Sequence, residues 1–117
     1  MIIVSCGVSE DGRWELTMDG HAGHVERNEA GHDLVCCAAS TLCYTLAKRI
    51  QRLVQDGNAH GPVMVFDKGH CQLAVSPREY SCCVEQAYET IMDGLELLRD
   101  KYPECLCTNF TDERTQI

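Results

Sequence analysis

A short segment near the start of the chain concentrates side chains that could do chemistry. Residues 21–37 read HAGHVERNEAGHDLVCC and contain three histidines and two adjacent cysteines, interrupted by glycines. A thiol beside an imidazole is the arrangement of a cysteine nucleophile and its base, whereas several imidazoles and thiolates together can hold zinc. The segment therefore raises three hypotheses: a nucleophilic site, a metal site and a redox site.

His21 and Cys36 form the pair that fits nucleophilic chemistry. Asp33 is a good helix N-cap, so Cys36 would lie in the first turn of a helix, where unpaired N–H groups and the helix dipole lower a thiol pKa. His21 follows Gly20 at the end of a strand and could accept the thiol proton, then return it to a leaving amine. The carboxylate of Asp33 would oppose the dipole unless it orients a protonated histidine, and the sequence leaves both readings open.

A zinc site is the rival hypothesis, and it would belong to a non-catalytic binding module stabilised by metal. Its ligands would be His21, His24 and His32 with Cys36 or Cys37. Their spacing matches no tight zinc motif, and the lack of a C-x-x-C pair disfavours redox chemistry. A fourth reading is structural, with Cys36 as a small core residue and the histidines in solvent.

Composition and charge narrow the class of protein. A chain of 117 residues with 44% hydrophobic and 24% charged residues predicts one globular domain over residues 1–117, in which residues 104–117 form a short edge strand and a frayed tail. A net charge of −8 argues against nucleic acid as a direct partner. The start of the sequence has neither a signal-peptide pattern nor a membrane-spanning run, which predicts a cytoplasmic protein without membrane contact.

The number and spacing of the cysteines indicate whether they form disulfides. Nine cysteines are an odd number, and two pairs are adjacent, Cys36–Cys37 and Cys82–Cys83. Adjacent residues on a helix rarely meet disulfide geometry, so free thiols in a reducing compartment fit better than a disulfide framework.

Hydrophobic periodicity predicts an α+β fold in the order hairpin, helix, hairpin, helix. Two helices would pack on an antiparallel-rich sheet. The first helix would run from Leu34 to Gln55, and the second would start at a capping box, Ser76-Pro77-Arg78-Glu79, and stop at Pro103. The predicted strands cover residues 2–8, 13–19, 63–66, 70–75 and 106–110.

Each predicted helix carries an apolar stripe that would face the sheet. In the first helix the stripe is Leu34, Ala38, Leu42, Leu46, Ile50 and Leu53 or Val54. In the second it is Tyr80, Val84, Ala87, Ile91, Leu95, Leu98 and Tyr102. The spacing of three and four residues is typical of an amphipathic helix with one buried face.

Two motifs in this chain resemble those of a known family. The runs Met18-Asp19-Gly20-His21-Ala22 and Gly31-His32-Asp33-Leu34-Val35-Cys36, followed by Ala38-Ala39-Ser40, are similar to the paired motifs of the ribosomal-processing cysteine protease family, Prp. The resemblance extends over essentially the whole chain. It implies a cytoplasmic cysteine endopeptidase, generally a homodimer, that removes the N-terminal extension of a large-subunit ribosomal protein. It implies no cofactor and no metal.

The resemblance also assigns roles by position. His21 would be the general base and Cys36 the nucleophile. Asp33 and Ser40 would orient this pair or the substrate, and Gly20 and Gly31 would flank a mobile loop that closes on the substrate. Cys37 departs from the family, which usually has a small residue there.

The departure at Cys37 makes a second nucleophile formally possible. Neighbouring side chains on a helix point in different directions, which favours Cys36 as the nucleophile.

Overall fold

The computed structural model describes residues 1–20, 32–79 and 81–114, with the backbone alone for His32 and Asp33. Its elements are β1 (Ile2–Val8), β2 (Trp14–Asp19), α1 (His32–Gln55), β3 (Ala59–Asp67), β4 (His70–Pro77), α2 (Cys83–Lys101) and β5 (Leu106–Asp112). The α+β class and the order of elements predicted from the sequence are confirmed.

The five strands form one mixed sheet in the order β3-β4-β2-β1-β5. Each hairpin is antiparallel, β1 with β2 and β3 with β4, and the two hairpins join through an antiparallel β2–β4 pair. The last strand, β5, runs parallel to β1 and forms one edge of the sheet. The predicted edge strand is therefore confirmed, and it extends two residues further along the chain than residues 106–110.

One face of this sheet carries the core because apolar residues alternate along its strands. In β1 the buried residues are Ile2, Val4, Cys6 and Val8, as the sequence predicts. In β2, Trp14 and Leu16 are fully buried, and Met18 packs partly buried against the same cluster. Both helices contribute to this cluster, so they cover the same face of the sheet.

The inner face of α1 differs from the predicted stripe in its first half. Val35, Ala39 and Cys43 are buried there, whereas Leu34 is 62% exposed. From Leu46 onward the predicted positions are correct. The sequence of this half contains apolar doublets, Leu34-Val35 among them, so periodicity alone could not decide between two faces one residue apart.

The start of α1 also differs from the prediction. The helix begins at His32, so Asp33 lies within its first turn rather than at the N-cap. Cys36 is consequently the fifth helical residue and not one of the first three. The helix dipole acts most strongly within the first turn, so its effect on this thiol is smaller than an N-cap at Asp33 would give.

The predicted start of α2 is wrong by several residues. Strand β4 continues to Pro77, which pairs with Ala59 of β3, and the backbone N–H of Arg78 donates to the carbonyl of Asn58 over 3.0 Å. Sheet pairing therefore overrides the local capping signal, and α2 begins at Cys83. It ends at Lys101, just before Pro103, as predicted.

The inner face of α2 agrees with the prediction only in part. Val84, Ile91 and Leu95 are buried as expected, and Tyr88 and Met92 complete the buried face. The predicted members Ala87, Leu98 and Tyr102 pack partly buried against the core. Tyr80 lies outside the described residues.

Candidate active site

A cleft opens where the first half of α1 passes over the end of β2 and the start of β4. Its volume is about 340 Å³. The helix contributes Cys36, Ser40, Cys43 and Tyr44, and the sheet side contributes residues from β1 to β4, including Met18, Gly20 and Cys71. Several residues that the sequence selected for chemistry therefore lie around one cavity.

Gly20 anchors the chain at the edge of this cleft. Its φ is +98°, and a Cβ at this position would collide with the backbone carbonyl of Met1. Its N–H donates to the carbonyl of Gly69 over 2.9 Å, which ties the end of β2 to the β3–β4 turn. The positive φ and the close approach of the Met1 carbonyl both require glycine, and the backbone of Gly20 is thereby held beside the cleft.

Cys36 is half-buried and lines the cleft, as does Ser40 one turn further along α1. Cys37 is exposed and is not among the residues that line this cavity. The divergence of neighbouring side chains on a helix explains the difference. Of the two adjacent thiols, Cys36 is thus the one that a ligand in the cleft would meet.

Other residues of the predicted site fall outside what the structure describes. These are His21 and Gly31, together with His24 from the rival zinc hypothesis, and the side chains of His32 and Asp33. The pairing of His21 with Cys36, the role of Asp33 and the zinc hypothesis remain predictions. Among the described residues, no group of three or more His, Cys, Asp or Glu side chains could hold a metal ion.

His70 is a rim residue of the cleft that the sequence did not single out. The antiparallel register of β2 and β4 places it opposite Asp19, and its Nδ1 lies 2.5 Å from the Asp19 Oδ1. This hydrogen bond raises the pKa of His70, although partial desolvation opposes the shift. Because Met18 and Cys71 face the core, the pleat directs Asp19 and His70 to the opposite face of the sheet.

Three sulfur-containing side chains form the floor of the cleft. Cys43 Sγ lies 3.7 Å from Met18 Sδ, and Met18 is paired across the sheet with Cys71. A hydrogen bond between the two thiols raises the pKa of Cys43, which burial raises further, and lowers the pKa of Cys71. No sequence pattern indicates this cluster, because its members lie on three separate elements.

Part of the cleft wall is aromatic. Tyr44 of α1 stacks on Phe66 of β3, with ring centroids 4.5 Å apart and an angle of 12° between the ring planes. Both rings keep a large exposed fraction, 59% and 38% respectively. Lys68 and Asp67 follow at the rim, so the cleft presents an apolar surface with a polar border. Such a surface suits an extended peptide better than a small ion-like substrate.

Neither α1 nor α2 has an apolar stretch sufficient to cross a lipid bilayer. None of the nine cysteines, all of them among the described residues, takes part in a disulfide bond.

Comparison with solved structures connects this arrangement to known proteins. The fold is similar to that of the essential ribosomal processing protease Prp from S. aureus in complex with a covalently linked product peptide. The TM-score is 0.67 at 25% sequence identity, over 94% of this chain and 99% of that chain. The same protease in complex with a substrate peptide gives a TM-score of 0.69 at 24% identity, with the same coverage of both chains.

A third similar structure is SMU.848 from Streptococcus mutans, with a TM-score of 0.65 at 22% identity over 97% of this chain and 96% of that chain. No curated protein matches the sequence significantly. The family model described as cysteine protease Prp matches residues 1–107. The chain therefore belongs to the cysteine protease Prp family and is itself a cysteine protease.

Proposed function

We propose that this protein is an endopeptidase that removes the N-terminal extension of a large-subunit ribosomal protein, with Cys36 as nucleophile and His21 as general base. One observation carries the assignment of residues. Cys36 lines the same cleft as Gly20, and Gly20 is the fixed backbone position immediately before His21.

The chemistry follows from this pairing in two half-reactions. The imidazole of His21 takes the proton from the Cys36 Sγ, and the thiolate attacks the scissile carbonyl carbon. The tetrahedral intermediate collapses to a thioester as the imidazolium gives its proton to the leaving amine. Water, deprotonated by the same imidazole, then attacks the thioester and releases the carboxylate product and the thiol.

Backbone N–H groups at the start of α1 can stabilise the oxyanion of the tetrahedral intermediate. The N–H groups of the first three helical residues have no partner within the helix, and in α1 these belong to residues 32–34. They lie in the turn that precedes Cys36, so a carbonyl oxygen attacked by this thiol can accept a hydrogen bond from one of them. Ser40 lines the cleft one turn after Cys36 and is placed to orient the substrate, and Asp33 is proposed to orient the imidazole.

The substrate class rests on two lines of support. The similar protease from S. aureus is a ribosomal processing protease with a peptide bound. The charge of −8 on this chain favours encounter with a basic ribosomal extension, because opposite charges speed association. We infer further that the protein acts in the cytoplasm as a homodimer and needs neither nucleic acid nor a metal cofactor.

The test is cleavage of a synthetic peptide that spans the junction between the extension and the mature ribosomal protein. Wild type, Cys36→Ser, Cys37→Ser and His21→Ala are compared, with products identified by mass. Cleavage is expected in wild type and in Cys37→Ser, and its loss is expected in the other two variants. Full activity in Cys36→Ser would reject the assignment, and loss in Cys37→Ser alone would move the nucleophile by one residue.

A further inference from the structure

The stacked rings of Tyr44 and Phe66 form a surface of the cleft that the proposed bond cleavage does not use. The rings belong to different elements, α1 and β3, and their centroids lie 4.5 Å apart. Both rings line the cleft and keep a large exposed fraction. Two large rings that stay open to a cleft offer a binding surface to an apolar group.

One side of α1 leads from the proposed nucleophile to these rings. Cys36, Ser40 and Tyr44 follow one another at intervals of four residues, so they lie along the same side of the helix. All three line the cleft, and on the sheet side the lining reaches Phe66. The cleft therefore extends along α1 from the thiol of Cys36 to the aromatic pair.

The length of this path determines which substrate residue can contact the rings. From position 36 to position 44, α1 rises by about 12 Å. An extended peptide advances by about 3.3 Å per residue, so the same distance corresponds to three or four residues. A peptide bound along α1 would place that residue beside the rings while its scissile carbonyl meets the Cys36 thiol.

The surface next to the rings favours an apolar side chain. Cys71 is directly opposite Phe66 in the register of β3 and β4, and Cys43 immediately precedes Tyr44 on α1. Both cysteines line the cleft and are almost fully buried, 3% and 1% exposed. A polar side chain packed against thiols and rings would lose water without gaining a good hydrogen bond, whereas an apolar one gains from burial.

We propose that Tyr44 and Phe66 form a specificity subsite for one apolar side chain of the substrate. This side chain belongs to a residue three or four positions away from the one whose carbonyl is attacked. The proposal rests on the proposed function, because the position of the Cys36 thiol sets the register.

The experiment measures preference position by position. In the junction peptide, each residue on either side of the scissile bond is replaced in turn by leucine and by asparagine, which are similar in size. The ratio of kcat/KM for the two peptides gives the preference at that position. Wild type should prefer leucine by about tenfold or more at a position three or four residues from the attacked one.

Variants of the two rings should remove this preference selectively. Tyr44→Ala and Phe66→Ala are each expected to bring the ratio at that position close to one and to leave the ratios elsewhere unchanged. Tyr44→Phe retains the ring and should retain the preference. Phe110→Ala is the matched control, because this ring is 50% exposed on β5 and does not line the cleft. A wild type without the preference, or a preference that survives both alanine variants, would overturn the subsite.

Binding distinguishes a failure of this subsite from a failure of the proposed cleavage. The Cys36→Ala protein is titrated into each fluorescein-labelled peptide, and anisotropy gives the Kd of the leucine and asparagine forms. If wild type cleaves none of the peptides, a leucine preference in binding that Tyr44→Ala abolishes would support the subsite and reject the cleavage. Cleavage at the junction with an unchanged preference in both alanine variants would reject the subsite alone.

Discussion

The two ends of strand β2 show how one core can be closed at one end and open at the other. At its start, Trp14 is 1% exposed and packs against Tyr88 of α2, with ring centroids 5.5 Å apart. The Tyr88 hydroxyl donates to the carbonyl of Leu73 over 2.8 Å, so the one polar group of this ring is satisfied. At its end, Met18 and Gly20 border the 340 Å³ cleft that also contains Cys36.

The two ends of β2 differ in the size of their side chains and in the space that these leave for a ligand. Trp14 and Tyr88 pack between α2 and the sheet at the closed end, and Arg114 covers Trp14 at 5.1 Å from the ring centroid. Sulfur-containing side chains and a glycine leave room between α1 and the sheet at the open end. The closed end contributes packing energy, whereas the open end exposes reactive atoms to solvent.

The largest expected effect is a loss of activity at the open end with little loss of stability. Cys36→Ala should lower kcat/KM for the junction peptide by about 10⁴-fold or more, because no other group replaces the nucleophile. The free energy of unfolding should change by less than about 1 kcal/mol, since this side chain is only half-buried. Peptide cleavage and urea unfolding measure the two quantities, and a large loss of stability would show that Cys36 belongs to the packing.

The second prediction concerns Gly20, whose backbone is held beside the cleft. Gly20→Ala must place a Cβ against the Met1 carbonyl at a positive φ, and Gly12→Ala meets a positive φ of +86° with no atom within 4 Å. Left-handed backbone costs roughly 1–2 kcal/mol for alanine, so Gly12→Ala should lose about that much stability. Gly20→Ala should lose more and should also lower kcat. Equal losses from both, measured by urea unfolding, would refute the role of the close contact.

The third prediction belongs to the closed end. Tyr88→Phe keeps the ring but removes the hydroxyl that donates to the buried Leu73 carbonyl, so stability should fall by about 1 kcal/mol. Peptide cleavage should keep its wild-type kcat, because the ring lies outside the cleft. Thermal unfolding and initial rates give both numbers, and Tyr44→Phe serves as the control for loss of an exposed hydroxyl in the unfolding measurement alone. A fall in kcat for Tyr88→Phe would mean that the two ends are coupled.

The sequence predicts the closed end more completely than the open one. Alternation in β1 and β2 correctly identifies the buried residues Val4, Trp14 and Leu16, because burial on one face of a strand leaves a period of two. Local signals fail where sheet pairing competes with them. Pro77 has the capping-box pattern of a helix start, yet the pairing of β3 with β4 keeps it in a strand.

The sequence predicts the chemistry of the open end only where that chemistry lies within one segment. Cys36 stands out because its neighbours in sequence form a motif, and the structure brings it to the cleft. His70 and Asp19 are 51 residues apart and meet only through strand register. Cys43 and Cys71 likewise meet only once α1 lies on β4. Such pairs are set by tertiary packing, which periodicity and local motifs do not encode.

The smallest expected effect concerns the hydrogen-bonded pair of Asp19 and His70, and it tests whether this pair contributes to stability. The carboxylate of Asp19 raises the pKa of His70, so a folded state with the pair binds a proton more tightly than the unfolded chain does. The contribution is complete below the unfolded histidine pKa of about 6.5 and disappears as the pH rises through the higher pKa of folded His70. Asp19→Asn should therefore destabilise the protein at about pH 5.5 and have little effect at about pH 9.

An NMR titration of the His70 ring checks the cause directly. Asp19→Asn should lower the pKa of His70, since the hydrogen bond to Asp19 is the largest contribution to its shift. Asp56→Asn removes an exposed carboxylate just beyond the far end of α1, and it should leave the titration of His70 unchanged. An unchanged His70 pKa in Asp19→Asn would mean that the pair does not hold the ends of β2 and β4 together in solution. Gly20 would then rely on its hydrogen bond to Gly69 and its contact with Met1 alone.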